Sequence, residues 1–249
     1  MSALRPVIRS AAAVALLQRR EMCGLVAIST RATCPLLGDR IRAALKVTRH
    51  RGPDEQGEFV HADWGVGLGH ARLSITDVAG GQQPMRSADG TVTAIVNGEF
   101  YDHERIRSEL EARGKVFSSR SDSEILVHLW EEKGPACLDD LRGEFALVLV
   151  DDKSRQLFAA RDRFGVKPLF VARPEGELLL ASEVKALFAA GVPAAWNSGA
   201  VFDSLHGCRL EGQVSRAMPL PRRWPGRCHA AATLLPRRCH AAATPLPRR

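Results

Sequence analysis

No apolar run in this sequence is long enough to cross a bilayer. The run nearest the start, Ala11–Leu17, is far too short. No small-residue cleavage box follows it, which argues against a secretory signal. Cysteine is present but without a framework spacing: Cys23, Cys34 and Cys137 lie in the body of the chain and Cys208, Cys228 and Cys239 near its end. A disulfide scaffold is therefore excluded, and reduced thiols in a cytoplasmic setting are expected. Neither G-x-G-x-x-G nor GxxxxGK[ST] occurs, and glycines 65, 67 and 69 are spaced wrongly for a nucleotide-phosphate loop. Aromatics make up 6% of residues, with one tyrosine, beside 45% hydrophobic and 25% charged residues. Those last fractions exclude a fully disordered chain and leave ample length for a core.

Acidic residues are scarce at both ends. The formal charge of +7 suggests a polyanionic partner until it is divided along the chain. Residues 1–21 carry four arginines and one glutamate, and residues 204–249 carry nine arginines and a single acid, Glu211. The intervening 22–203 is left with an acidic balance of −4. The final stretch is also a near repeat, RCHAAATLLPR at 227–237 and RCHAAATPLPR at 238–248. Its Arg, Pro and Ala composition offers no apolar face, so it is expected to be disordered. The Cys228-His229 and Cys239-His240 pairs lack zinc-site spacing, and no metal is expected. The organisation expected is an N-terminal extension (1–21), one domain (22–203) and a low-complexity tail (204–249), with nucleic-acid binding and membrane association not expected.

Within the domain, LVAI before Ser29 reads as a buried strand, and Leu37, Ile41 and Leu45 give helical spacing over 36–49. Strands are expected over 66–75 and 91–97. A helix over 102–113 is expected with Asp102 as N-cap, and another over 122–133 opening on a Ser121/Glu124 capping box. Hairpins are expected at 145–151 with 156–161 and at 169–173 with 178–182, and a last helix at 183–190. Many strands, mostly antiparallel, with a few helices argue for two stacked sheets covered by helices.

Certain residues point to chemistry only in company. Cys23 alone reads as a small buried hydrophobe, Asn97-Gly98 as a tight turn, Asp122 as part of a cap and Arg72 as a surface charge. Yet Met22-Cys23-Gly24, RHRGPD (49–54), GHARLSI (69–75), NGE (97–99) and SDSE (121–124) follow one another, and LRGEFALVLVDDKSRQLFAARDRFGVKPLF (141–170) and ASEVKAL (181–187) come after them. In that order they resemble the glutaminase domain of class II glutamine amidotransferases, most closely that of glutamine-hydrolysing asparagine synthetases of the B type. The resemblance covers about 22–203. It implies an α+β fold, the four-layer αββα sandwich of N-terminal-nucleophile hydrolases.

The resemblance also implies roles. Cys23 would be the nucleophile, its own α-amine the base; such an amine has a pKa of about 7.7–8 and can accept the thiol proton near neutrality. Its thiolate would attack the side-chain amide of L-glutamine to give a thioester and ammonia. Asn97 through its amide and Gly98 through its N–H would stabilise the oxyanion. Arg72 would grip the substrate α-carboxylate and Asp122 the α-ammonium, with Leu73, Ser74, Ile75, Thr76 and Glu99 lining the pocket. No cofactor is implied for this half-reaction; ATP and Mg belong to a synthetase domain whose SGGxDS loop is not found here. The implied partner is a synthetase domain or subunit that receives ammonia, and a homodimer is allowed.

The sequence departs from the family in two places. Twenty-two residues precede Cys23, so its nitrogen is an amide unless the mature chain starts there; a start at Met22 followed by its removal is the expectation, with a cleaved propeptide or targeting peptide over 1–21 as the other route. At the other end, family-like sequence fades near Phe202–Leu205 into the Arg/Pro/Ala repeat, as a truncation or frameshift would produce. A non-catalytic remnant that binds glutamine or a partner is the alternative.

Overall fold

The computed structural model describes residues 22–31, 33–75, 77–194, 217–219 and 231–236. Among the described residues, eleven strands form two antiparallel sheets. The first, six-stranded, has the order β10-β8-β9-β1-β3-β2 and the second, five-stranded, the order β11-β7-β6-β5-β4. The strands of the first sheet are β1 (Gly24–Thr30), β2 (Glu55–His61), β3 (Val66–Arg72), β8 (Phe170–Ala172), β9 (Glu177–Ala181) and β10 (Ala217–Pro219). The second holds β4 (Met85–Arg86), β5 (Val92–Phe100), β6 (Gly143–Asp151), β7 (Gln156–Arg161) and β11 (Ala231–Pro236). Helices α1 (Leu37–Thr48) and α4 (Val184–Ala189) cover one sheet, and α2 (His103–Ala112) and α3 (Ile125–Lys133) the other.

Three apolar clusters define the layers. Leu37, Ile41 and Leu45 of α1 meet Val26 and Ile28 of β1 and Leu187 of α4. Ile106 and Leu110 of α2 and Ile125, Leu126 and Leu129 of α3 meet Val96, Phe100 and Leu147. Between the sheets, Leu25, Ala27, Leu68, Ile95, Val148 and Leu180 interdigitate. The alternation of Leu25 and Ala27 against Val26 and Ile28 is the period-2 pattern of a strand buried on both faces. The order helix, sheet, sheet, helix is the αββα sandwich that the resemblance implied.

Glycine makes the close approach of α1 possible. A Cβ on Gly69 would lie 2.6 Å from Ile41 Cγ2 and 2.8 Å from Val26 Cγ1. Real carbon pairs do not come so near, so a side chain there would lift α1 off β3.

Several expectations are corrected. Asn97-Gly98 is no turn: both residues lie inside β5, which runs on to Phe100 and pairs Asn97 with Ala146 and Gly98 with Phe145. β3 stops at Arg72 rather than running to Ile75. Asp102 stands at the N-cap of α2 but makes no side-chain cap bond; its carboxylate instead meets Arg142 at 3.3 Å. Residues 122–124 form a 3-10 turn before α3 begins. The capping box is half made: Ser121 Oγ accepts from the Ser123 N–H at 3.3 Å, while Glu124 turns away to accept from the N–H groups of Ser118 and Ser119 at 2.7 and 2.8 Å.

β2 and β4 were not expected. β2 alternates half-buried and exposed residues at the sheet's edge, and its EQGEFVH carries too few apolar residues to announce itself. The tail expected to be disordered supplies two strands: β10 pairs with β8 and β11 with β7. Residues 1–21, the stretch 195–203 and the two Cys-His pairs lie outside the described residues, as does Thr76.

Candidate active site

Where the two sheets open at one end, a pocket forms between the start of β1, the end of β3 and the end of β5. It is lined by Cys23, Arg72, Leu73, Ile75, Asn97, Gly98, Glu99 and Asp122, and also by Met22, Gly81, Gln83, Val96, Ser121, Ser123 and Lys167. Of the residues singled out from sequence, Ser74 is not on that wall; its N–H donates to Asp54 at 2.8 Å.

Cys23 stands immediately before β1. Its Sγ accepts from the Leu73 N–H at 3.4 Å and approaches the Leu73 carbonyl at 3.8 Å. Burial pushes the thiol above its ordinary pKa; the Leu73 N–H and the Arg72 and Arg51 guanidiniums pull the other way. Arg51 also donates from Nε to the Cys23 carbonyl at 3.0 Å and is held by Glu183 at 3.2 Å. Cys137 makes the contrast: buried in the core beside Asp140 and Asp139, its thiol is pushed up to about 12. It is an inert sulfur, whereas Cys23 has three groups that favour thiolate.

Gly52 lets this end close up. A Cβ there would lie 2.2 Å from the Ala71 carbonyl carbon and oxygen, so only glycine can carry the 51–54 segment across the end of β3. That segment brings Arg51 to Cys23 and Asp54 to Ser74.

Arg72 is buried, and its guanidinium is engaged by the chain that follows it. Nη2 donates to the Asp77 carbonyl at 2.6 Å, and Nη1 lies 3.2 Å from both the Val78 carbonyl and Glu55. Asp77, at a positive φ of 48°, also accepts from the Arg120 N–H at 2.7 Å through Oδ2. Ile75 is 63% exposed and Val78 67%.

Across the pocket the donors are fixed. Asn97 is 1% exposed, and its Nδ2 has no hydrogen-bond partner. A buried amide donor without an acceptor costs about 1–3 kcal/mol, and this one lies on the pocket wall. Gly98 has φ +147°, and a Cβ there would fall 2.0 Å from the Glu144 carbonyl. Asp122, 8% exposed, accepts from the Phe100 N–H at 2.9 Å and from Ser123 Oγ at 3.4 Å. Beneath them His70, fully buried on β3, bonds through Nε2 to the Val96 carbonyl at 2.9 Å. Gln83 completes the clasp, accepting from the Val96 N–H at 2.6 Å and donating to its carbonyl at 3.2 Å.

Sequence reasoning missed Lys167 and Gln83. Lys167 sits inside the RDRFGVKPLF stretch already matched to the family, so a signal existed, whereas Gln83 precedes a proline in a region with no motif. Among the described residues no group of three or more His, Cys, Asp or Glu could hold a metal, and no helix among them is long and apolar enough to cross a membrane.

A family model described as a glutamine amidotransferase domain matches residues 22–213. The sequence is 39% identical over 186 residues to "Amidase chry2" of Gibberella zeae, which covers 70% of this chain and 28% of that protein. It is 43% identical over 143 residues to asparagine synthetase B (glutamine-hydrolyzing) of Escherichia coli, covering 57% of this chain and 25% of the other. The chain therefore spans about a quarter of the length of these curated relatives. Glutamine PRPP amidotransferase of B. subtilis shares the fold, with a TM-score of 0.57 at 20% identity over 68% of this chain and 44% of that one. The chain belongs to the class II glutamine amidotransferases, and the part it matches in asparagine synthetases is their N-terminal glutaminase region.

Proposed function

We propose that this domain hydrolyses L-glutamine to glutamate and ammonia through a thioester on Cys23. The observation that carries the reading is convergence. Cys23, Arg72, Asn97, Gly98 and Asp122, drawn from 100 residues of sequence, line one pocket. With Cys23 as first residue, its α-amine takes the thiol proton and Sγ attacks the side-chain amide carbon. The carbonyl oxygen becomes an oxyanion that Asn97 Nδ2 and the Gly98 N–H receive. The C–N bond then breaks, nitrogen leaves as ammonia with the transferred proton, and water cleaves the thioester to release glutamate. Arg72 and Asp122 hold the α-carboxylate and α-ammonium, so the side-chain amide is the end presented to sulfur. No cofactor enters these steps.

The ammonia would pass to a synthetase domain or subunit; in glutamine-hydrolysing asparagine synthetases the acceptor is an activated aspartate. A homodimer, a cytoplasmic setting and the division into an extension (1–21), the domain (22–203) and a tail belong to the same proposal.

The rival is a domain that binds glutamine without turning it over, which is what an uncleaved amide at Cys23 would leave. Mass spectrometry of the purified N-terminus together with an ammonia-release assay separates the two. A chain beginning at Cys23 should release ammonia from glutamine. Cys23→Ala should abolish that release while glutamine still binds in calorimetry. Turnover retained in Cys23→Ala overturns the assignment.

A further inference from the structure

Lys167 is held more tightly than its place in a loop requires. The loop leaving β7 wraps around the buried carboxylate of Asp162. Its Oδ1 accepts from the N–H groups of Phe164 and Val166, each at 3.0 Å, and its Oδ2 from the Lys167 N–H at 3.1 Å and the Phe145 N–H at 3.3 Å. Arg161 fixes the other backbone group of the same residue, Nε donating to the Lys167 carbonyl at 2.6 Å, while Nη2 donates to the Gly165 carbonyl. Both backbone groups of Lys167 are therefore anchored by ionised side chains, which make the stronger hydrogen bonds.

The side chain so delivered reaches the pocket, not solvent. It is 12% exposed, pairs with Glu144 at 3.1 Å, and places Nζ 3.5 Å from the Sδ of Met22, the residue joined to the Cys23 nitrogen. We propose that Lys167 is a positioning residue for the base: its ammonium, tempered by Glu144, keeps the α-amine of a chain beginning at Cys23 neutral near physiological pH. This rests on the reading of Cys23 as an N-terminal nucleophile.

The physical ground is like-charge repulsion in a partly buried site, which lowers the pKa of an amine near a fixed cation. The other charges facing Cys23 are the Arg51 and Arg72 guanidiniums, held by Glu183 and Glu55, and the carboxylates of Asp122 and Glu99 on the opposite wall. Lys167 lies on the Met22 side, where the amine would be, and its partner Glu144 stands opposite Glu99 across the β5–β6 ladder. A neutral amine accepts the thiol proton, while a protonated one cannot.

The test uses the whole chain with a protease site replacing residues 17–22, folded first and then cleaved to expose Cys23. Titration of 13C-labelled Cys23 by NMR reads the amine directly, whether or not the protein turns over glutamine. Lys167→Met should raise the amine midpoint by roughly one pH unit, the shift one nearby charge produces. Lys167→Arg should leave it in place. Glu144→Gln, which is isosteric, should move it down and guards against a Lys167→Met protein that does not fold. The acid limb of kcat/KM for glutamine should follow each midpoint. Midpoints that stay put, or that move in one direction for both charge removals, overturn the role of Lys167. Midpoints that move as expected in a protein releasing no ammonia leave that role standing and sink the glutaminase reading.

Discussion

The two walls of the pocket are built on opposite plans. On the β5 side, Asn97, Gly98 and Asp122 are locked by strand pairing and by the bond from the Phe100 N–H to the Asp122 carboxylate. The Asn97 amide waits with a donor unused. On the β3 side, Arg72 already has partners in the carbonyls of Asp77 and Val78 and in Glu55. In the proposed reaction Asn97 and Gly98 of the first wall are preorganised for charge that appears only during reaction, with the cost met on folding, while Asp122 meets the α-ammonium. On the proposed reading the second exchanges carbonyl contacts for the substrate carboxylate, which would couple binding to movement of the segment after β3. Asn97 and Gly98 of the β5 wall should therefore govern kcat, and Arg72 of the β3 wall KM.

The sharpest way to break this division is at Gly98. A Cβ there would lie 2.0 Å from the Glu144 carbonyl and 2.6 Å from Phe145 Cα, both backbone atoms of the paired strand. Gly98→Ala must part β5 from β6 and displace the proposed oxyanion donor together. Ammonia release should fall below detection and the melting temperature should drop; an active, equally stable variant would show that the wall is softer than its packing says. Asn97→Ala is gentler. It removes one donor and should lower kcat by roughly 10²–10³-fold with KM little changed, which steady-state kinetics reads. A rise in KM as large as the fall in kcat would mean that Asn97 holds the ground state too.

The sequence made the layers and the pocket legible because their residues carry strong local signals. Leu25 to Ile28 alternate between two apolar faces, Leu37, Ile41 and Leu45 repeat at helical spacing, and Cys-Gly, Asn-Gly and Ser-Asp lie within ordered family motifs. The elements it hid are those held by partners distant in sequence. β2 is an edge strand stabilised by pairing with β3, not by its own composition. Asn97-Gly98, a strong local turn signal, is overridden by the nine-residue pairing of β5 with β6. The position of Lys167 depends on Asp162 and Arg161 gripping its backbone, which no periodicity displays.

On the β3 wall, Arg72→Lys keeps the charge but loses the planar fork. It should raise KM for glutamine roughly ten- to a hundredfold, about 1.4–2.8 kcal/mol of binding, with kcat within a fewfold of the parent. A variant with low kcat and unchanged KM would move Arg72 to the reaction itself, and the contrast between the walls would fail.

The last effect leaves turnover aside and concerns stability, at the residue that ties the walls together. His70 on β3 reaches the Val96 carbonyl on β5, and burial, aided by nearby Arg72, lowers its pKa to about 4 from 6.5. The folded state therefore keeps His70 neutral while the unfolded chain takes up a proton below pH 6.5. Stability should be unaffected by this group above that pH and should fall by up to roughly 3 kcal/mol as pH drops from 6.5 to about 4, then level off. Glu124 acts later: against the upward push of burial, hydrogen bonds from Ser118 and Ser119 and the nearby His128 ring, 3.9 Å away, hold its carboxyl at about 2, so its contribution fades only as pH falls from 4.5 toward that value. Urea unfolding at a series of pH values should show the first decline in the parent protein and lose it in His70→Gln, with the second retained in both. If the parent curve is flat between pH 6.5 and 4, His70 is reached by water, and the join between the two walls is looser than its burial implies.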